Sequence, residues 1–100
     1  MYENNSATLK MKKVLKKGMK LSAYSYEGIV RKYEEERECI YLSVSCALTK
    51  ISLDAIYECK IKGDKREIAL TGRVVERYVN EEGNILKLHI ETGFYKNNAK

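Results

Sequence analysis

The same pattern of apolar and polar positions occurs twice in the chain, about 44 residues apart. One copy begins at Gly28 and the other at Gly72, and each leads through a strand-like segment into a polar or charged run, at 34–38 and at 80–83. Three apolar residues at every second position follow each run: Ile40, Leu42 and Val44, and Leu86, Leu88 and Ile90. This period is typical of a half-buried β-strand, whose successive side chains point to opposite faces. Each copy therefore predicts a β-hairpin.

The segment from 51 to 62 has the clearest alternation in the chain. Its odd positions are apolar: Ile51, Leu53, Ala55, Tyr57, Cys59 and Ile61. Its even positions are polar except for Ile56. One buried face and one wetted face are typical of an antiparallel sheet. A further alternation over 19–24 predicts the first strand, and we expect a turn at 63–65 and a bulge or sharp bend at Gly72.

These patterns predict six strands with short connections, and hence an all-β protein. Because open sheet edges must be closed, they favour a six-stranded antiparallel β-barrel, or a tight β-sandwich, as a single domain over residues 15–96. The alternative is an open antiparallel sheet that dimerises through an edge. Residues 1–14 fit no period, and we expect them to form a short irregular or helical basic arm that is partly flexible.

The net charge of +5 is confined to the N-terminal part of the sequence. Residues 1–20 carry six lysines and one glutamate, whereas residues 21–100 carry 13 basic and 13 acidic side chains. A protein that binds a phosphate backbone across its folded surface needs several clustered cations there. Four of the N-terminal lysines are candidate contacts for nucleic acid or another anionic ligand: Lys12, Lys13, Lys16 and Lys17.

Other sequence signals argue against a membrane span, secretion and metal binding. No apolar run approaches the roughly 18 residues that cross a bilayer, and the N-terminal lysines are not followed by the apolar stretch of a signal peptide. We therefore expect a cytoplasmic protein. Cys39, Cys46 and Cys59 are odd in number and form no C-x-x-C pair, so buried, reduced thiols are favoured over disulfides or zinc. No cofactor is expected.

The sequence contains no recognisable catalytic assembly. Its only histidine, His89, alternates with Leu88 and Ile90, so we expect the ring to point away from the core. Acid–base or nucleophilic catalysis needs a serine or cysteine and an orienting carboxylate beside the histidine, and no spacing suggests them. The sequence therefore predicts a non-enzymatic protein.

Arg73 and Arg77 form an R-x-x-x-R pair within a predicted strand. Two guanidinium groups can bind phosphates, so the pair could serve an anionic ligand such as a nucleotide. On a regular strand the two residues would share a face, roughly 13 Å apart. Exposed arginines that pair with nearby glutamates are the favoured interpretation.

The chain has eight tyrosines and no tryptophan. Aromatic side chains on a sheet face can stack with the bases of single-stranded nucleic acid, and Tyr24, Tyr26 and Tyr41 are candidates for such a face. Tyr33 and Tyr78 occupy matching places in the two hairpin copies. For these two, packing between the hairpins is favoured.

Three segments of the sequence resemble the PilZ group of bacterial proteins and the barrel that precedes PilZ in flagellar brake proteins. They are 15–21, which enters the first strand, 28–30, which begins the second, and 70–78, which is followed by a return strand. The resemblance covers residues 15–95. It implies a six-stranded β-barrel of the split-barrel or PilZ type. PilZ members bind cyclic di-GMP through an R-x-x-x-R motif before the barrel and a D/N-x-S-x-x-G motif on an early strand.

The chain departs from this motif, because its R-x-x-x-R lies late and no D/N-x-S-x-x-G follows it. The resemblance therefore favours a regulatory or adaptor barrel of cyclic di-GMP signalling that has a degenerate ligand motif and acts through contact with a protein. The alternative is a nucleic-acid or cyclic-dinucleotide binding module that uses the N-terminal lysines, Arg73 and Arg77. A homodimer is compatible with either function.

Overall fold

The protein folds into a closed β-barrel. The computed structural model describes residues 3–96, with side chains as far as residue 92. The elements are β1 (Ser6–Val14), β2 (Ser25–Glu34), β3 (Cys39–Val44), β4 (Ala55–Lys62), β5 (Glu67–Asn80) and β6 (Gly83–Lys96), with a 3₁₀ turn at Leu48–Lys50. The strands are antiparallel, in the order β1-β2-β3-β6-β5-β4, and this confirms the predicted six-stranded barrel. No helix among the described residues is long and apolar enough to cross a membrane.

The N-terminal residues form a barrel strand, so the prediction of a basic arm over 1–14 is wrong for residues 6–14. Ala7, Leu9 and Met11 are buried along β1, which pairs with both β2 and β4. The register on β4 shifts between Met11 and Lys13. This irregularity places two exposed lysines in succession and hides the strand period from the sequence. Residues 1 and 2 lie outside the described residues.

The predicted first strand over 19–24 is also wrong. Residues 15–24 form no strand, and they connect β1 to β2. Met19 packs against the core, whereas Leu21 and Tyr24 are exposed. The alternation of this segment therefore does not correspond to a buried face and a wetted face. The domain boundary expected between residues 14 and 15 falls where β1 enters this connection.

The two hairpin copies are neighbours in the barrel. The first copy is β2–β3 and the second is β5–β6, and β3 pairs directly with β6. The alternating triplets of the two copies therefore face each other, with Ile40 beside Leu88 and Leu42 beside Leu86. All four side chains are buried. The repeat in the sequence thus builds the central part of the core.

Gly28 and Gly72 make the same close contact in the two copies. A Cβ atom at Gly28 would lie 2.6 Å from the Ser43 carbonyl oxygen, and one at Gly72 would lie 2.7 Å from the His89 carbonyl oxygen. Both distances are too short for a side chain without a shift of backbone. The register of β5 on β6 also shifts between Thr71 and Gly72, in agreement with the predicted bulge. Each glycine therefore allows its strand to approach the backbone of the paired strand closely.

A methyl group added at either glycine should destabilise the barrel to a similar extent. We expect Gly28→Ala and Gly72→Ala each to lower the free energy of unfolding by about 1–2 kcal/mol, because the paired strand must move to accept the new Cβ. Ser45→Ala, at an exposed position near the end of β3, is the control and should change it by less than about 0.5 kcal/mol. Urea unfolding measures all three. A loss at one glycine without a loss at the other would show that the two contacts are not equivalent.

The interior of the barrel is filled with apolar side chains from every strand. The largest fully buried side chains are Tyr57, Leu9, Ile40, Leu42, Ile51, Ile61, Leu70, Ile85, Leu86, Leu88, Val30 and Val74. The alternation predicted for 51–62 is confirmed, except that Leu53 is only half-buried. The Tyr57 hydroxyl, which lies in the core, accepts a hydrogen bond from the Ser52 N–H (2.9 Å). Because the interior is used for packing, candidate sites must lie on the outer surface.

Candidate functional site

Three connections meet at one end of the barrel, which we call the loop end. They are the β1–β2 connection (15–24), the β3–β4 connection (45–54) and the β5–β6 turn (81–82). The Leu15 N–H donates to the Asp54 carbonyl oxygen (2.8 Å), which joins the first connection to the second. The Asn84 side-chain amide donates to the Cys46 carbonyl oxygen (2.9 Å), which joins the second connection to the start of β6.

A shallow groove of about 520 Å³ opens at the loop end, and we call it the loop groove. Its lining includes four apolar side chains, three cations and two tyrosines: Met11, Met19, Ile51 and Leu53; Lys20, Lys50 and Arg77; Tyr24 and Tyr26. Asp54 is its one acidic lining residue. An apolar surface beside cations and aromatic rings can accept a planar anionic ligand. The loop groove is therefore the candidate site for the predicted anionic ligand.

Both arginines of the predicted R-x-x-x-R pair make contacts within the fold. The Arg77 guanidinium donates to the carbonyl oxygens of Leu48 (3.0 Å) and Ile51. Arg73 donates from Nε to the Leu53 carbonyl oxygen (3.1 Å), and its guanidinium lies 3.9 Å from the Asp54 carboxylate. Both arginines therefore hold the β3–β4 connection. The favoured pairing with nearby glutamates is replaced by these contacts.

Arg73 and Arg77 do not share a face of β5, and the expectation that they do is wrong. Arg73 pairs with His89 across the β5–β6 ladder, whereas Arg77 pairs with the buried Leu86. His89 and Leu86 are three residues apart, so they lie on opposite faces of β6. The register shift between Val74 and Glu76 changes the alternation between the two arginines. Only Arg77 lines the loop groove.

The four predicted lysines lie near the loop end but not in the loop groove. The Lys12 ammonium lies 3.7 Å from the Glu58 carboxylate. Lys13 pairs with Ile56, which in turn pairs with Arg73, so the structure places Lys13 and Arg73 in one row across three strands. Lys16 and Lys17 lie in the β1–β2 connection and are exposed.

The candidate tyrosines differ strongly in exposure. Tyr24 is 74% exposed, whereas Tyr26 and Tyr33 pack against the core. Tyr33 thus has a packing role, whereas Tyr78 is exposed on β5 and does not have the packing role predicted for it. The sequence could not distinguish the two tyrosines, because whether other parts of the chain cover a residue depends on the tertiary structure. Only Tyr24 is available as a stacking surface among those that line the loop groove.

Tyr41 belongs to a charged cluster on the outer face of β2, β3 and β6. Its hydroxyl donates to Glu34 Oε1 (3.0 Å), and the ammonium groups of Lys32 and Lys87 lie 5.7 and 5.8 Å from its ring centroid. The pKa of Glu34 is lowered, chiefly by a hydrogen bond from Lys32 and then by that from Tyr41. Burial, and then Glu34, raise the pKa of Tyr41. The ring is thus engaged within the fold.

The surroundings of the cysteines and of the histidine are those of side chains with a structural role. Cys39 and Cys59 are buried, and Cys46 is half-buried, with all three unpaired. Burial raises the pKa of the Cys59 thiol to about 12, so the reactive thiolate is suppressed. His89 lies 3.8 Å from the Glu91 carboxylate on a partly exposed surface. Within the described part of the chain, His, Cys, Asp and Glu form no group that could hold a metal ion.

The sequence did not reveal a second candidate surface, the free edge of β5. Within residues 3–96, β4 pairs with β5 only from Glu67 to Arg73, although β5 continues to Asn80. All six residues from 75 to 80 are exposed, and three of them are apolar or aromatic: Val75, Tyr78 and Val79. Val79 alone is 68% exposed. We call residues 75–80 the free edge.

The backbone of the free edge offers unpaired hydrogen-bonding groups. Asn80 pairs with Gly83 at the β5–β6 turn, where the Glu82 N–H donates to Asn80 Oδ1 (2.8 Å). Hydrogen-bonded pairs alternate with non-bonded pairs along an antiparallel ladder. The N–H and C=O groups of Val79 and Arg77 therefore point away from β6, towards the side that β4 does not reach.

Another groove, of about 540 Å³, is lined by residues of β1, β2, β3 and β4, together with Glu67 of β5 and Glu82 of the β5–β6 turn. Its charged lining residues are of both signs: Glu27, Glu67 and Glu82, and Lys60 and Lys62. This mixture favours neither anions nor cations.

No protein-family model, curated protein or solved structure matches the chain. The function of the free edge and of the loop end is therefore inferred from the chemistry of the residues that form them.

Proposed function

We propose that the protein is a non-enzymatic regulatory or adaptor module of the PilZ-like type that binds an extended segment of a partner protein at the free edge. The observation that carries this proposal is the continuation of β5 past the end of its ladder with β4, with every residue from 75 to 80 exposed. A partner strand would add to the sheet there through main-chain hydrogen bonds.

The chemistry of the free edge supports a peptide as the ligand. The backbone groups of Arg77 and Val79 can bond to a strand of any sequence, while Val75 and Val79 offer apolar contacts. Natural sheets protect such edges with charged side chains, above all lysine, with proline or with bulges. The free edge has no lysine or proline, and its two charged residues, Glu76 and Arg77, follow a register shift at the start of the segment.

The arginine contacts support a protein ligand over a cyclic dinucleotide. Arg77 and Arg73 donate to carbonyl oxygens of the β3–β4 connection, and these bonds would have to be exchanged before either guanidinium could bind a phosphate. The resemblance to PilZ proteins supports this proposal, because those proteins also form a six-stranded barrel. A degenerate cyclic di-GMP motif agrees with a barrel that acts by protein contact.

A proline at Val79 tests the proposal. The Val79 N–H points away from β6, so Val79→Pro removes a donor from the free edge without removing a bond of the β5–β6 hairpin. Peptides selected from a displayed random library would be titrated by calorimetry against the wild type, Val79→Pro and Val79→Ala. We expect a loss of at least about tenfold in affinity for the proline variant and a smaller loss for the alanine control.

Hydrogen exchange of the same complexes locates the peptide. Binding should slow amide exchange at Arg77 and Val79, since their N–H groups would become bonded. Peptides that bind Val79→Pro as tightly as the wild type, or that protect amides elsewhere, would contradict the proposal. A sizing column distinguishes a second copy of the chain as the occupant, because a homodimer through this edge would dissociate in Val79→Pro.

The loop groove favours the second candidate function, a nucleic-acid or cyclic-dinucleotide binding module. Lys20, Lys50 and Arg77 beside the exposed Tyr24 form its cationic and aromatic surface. Affinity for phosphates should fall steeply as salt rises, whereas strand addition should depend on salt only weakly. We expect calorimetric titration with cyclic di-GMP to give no binding heat. Salt-sensitive binding that is lost in Lys20→Ala would support this candidate instead.

A further inference from the structure

We propose that the β1–β2 connection is a docking surface for the anionic surface of a lipid bilayer. It lies at residues 15–24 and combines exposed lysines with exposed apolar side chains. This combination is typical of segments that insert apolar groups between lipid headgroups while cations bind the anionic lipids. The connection and the free edge adjoin at the loop groove, which Lys20, Tyr24 and Arg77 line together, but the inference is argued from the lysines and leucines of the connection and does not depend on the proposed protein contact.

The charge of the connection is uniformly positive. No aspartate or glutamate occurs between residues 4 and 26. Lys16, Lys17 and Lys20 are exposed, and none of them forms an ion pair with another described residue. Lys13 and Lys50 add two cations at the same end of the barrel. The five lysines outnumber the three acidic side chains that the loop end also carries, Asp54, Glu81 and Glu82, and this excess of positive charge attracts an anionic plane.

The apolar side chains of the connection point to solvent although the core lies nearby. Leu15, Leu21 and Tyr24 are 45%, 59% and 74% exposed. Met19, between them, packs against the core and so anchors the connection. An aromatic and two leucines presented from an anchored loop are suited to the boundary between headgroups and acyl chains.

The backbone of the connection is held in place at several points. Leu15 is bonded to Asp54, the Ser22 N–H donates to Met11 Sδ (3.3 Å), and the Met19 N–H donates to the Lys16 carbonyl oxygen (3.2 Å). Gly18 has a φ of 88°, which supports the turn between them. The loop therefore presents its leucines and lysines in a defined arrangement, so little ordering is needed when it meets a surface.

The leucines favour a lipid surface over nucleic acid as the partner. A phosphate backbone would be bound by the lysines alone, and Leu15 and Leu21 would gain nothing from it. An anionic bilayer uses both groups, with each lysine strengthening binding roughly fivefold. The same reasoning separates docking from simple charge attraction, since only docking requires the leucines.

A tryptophan reporter tests insertion directly, because the chain has no tryptophan of its own. We would place it at the exposed Tyr24, with Asp64→Trp, in the exposed turn at the opposite end of the barrel, as a matched reporter outside the connection. Vesicles of phosphatidylcholine alone, or mixed with phosphatidylglycerol in equal parts, serve as probes. With the mixed vesicles we expect a blue shift and quenching by brominated lipid for Tyr24→Trp only. No shift, an equal shift with neutral vesicles, or an equal shift for Asp64→Trp would overturn the proposal.

Substitutions then separate the two parts of the surface. Lys16→Glu with Lys17→Glu should weaken vesicle co-sedimentation by at least about tenfold, whereas Lys62→Glu with Lys65→Glu, exposed at the opposite end, should weaken it less than about threefold. Leu21→Ser should weaken it severalfold at constant charge. Equal effects of the two lysine pairs, no effect of Leu21→Ser, or tighter binding to single-stranded DNA than to the vesicles would each contradict bilayer docking.

Discussion

Replacing Leu88 with alanine is expected to lower the free energy of unfolding by about 2–5 kcal/mol. Leu88 is fully buried at the centre of β6, where it pairs with Ile40 on one side and Val74 on the other. Both partners are fully buried as well. Because three neighbouring strands meet around this side chain, the cavity left by the substitution cannot close without moving the barrel wall.

A domain of this size is stable by about 5–15 kcal/mol, so Leu88→Ala should remove a large fraction of the total. Urea unfolding followed by circular dichroism measures the change. Val75→Ala is the control, since Val75 is 42% exposed, and it should change the free energy by less than about 0.5 kcal/mol. Similar losses in the two variants would show that the interior of the barrel is not closed around Leu88.

The sequence predicted the parts of the barrel in which local alternation and burial agree. In β4 and in the paired strands β3 and β6, apolar residues occupy every second position and form the inner face, as at Tyr57 and Leu86. β1 was missed although Leu9 and Met11 alternate correctly, because the irregularity at Lys12 interrupts the period. Whether a strand contains an extra, unpaired residue depends on its pairing with the neighbouring strand, and the local sequence does not encode this pairing.

The candidate surfaces were less predictable than the fold. The R-x-x-x-R spacing suggested one arginine face, but the register shift between Val74 and Glu76 turned Arg77 to the other side of β5. The free edge exists because β5 is longer than its neighbour β4. The two strands are close in sequence and in space, but the sequence does not show where each of them ends. The lysines were recognised, and the structure added the exposure of Leu21 and Tyr24 beside them.

Replacing Arg77 with alanine is expected to lower the free energy of unfolding by about 1.5–3 kcal/mol. Its guanidinium donates to the carbonyl oxygens of Leu48 and Ile51, and the Ile51 side chain is fully buried. Loss of the charged donor leaves both carbonyl groups without this partner and loosens the segment that brings Ile51 into the core. A residue kept only for a ligand would leave stability unchanged in the absence of that ligand.

Arg73→Ala is the matched comparison for Arg77→Ala. Arg73 also donates to a carbonyl oxygen of the β3–β4 connection, that of Leu53, but this is a single exposed bond, whereas Arg77 makes two bonds, of which the one to Ile51 is partly buried; the ion pair of Arg73 with Asp54 spans 3.9 Å. Exposed ion pairs contribute little, so we expect a loss below about 1 kcal/mol. Arg77→Lys should recover only part of the stability, because a lysine cannot place two donors at fixed positions. Equal stability of Arg77→Ala and the wild type, together with a lower affinity for a phosphate ligand, would assign Arg77 to binding rather than to the fold.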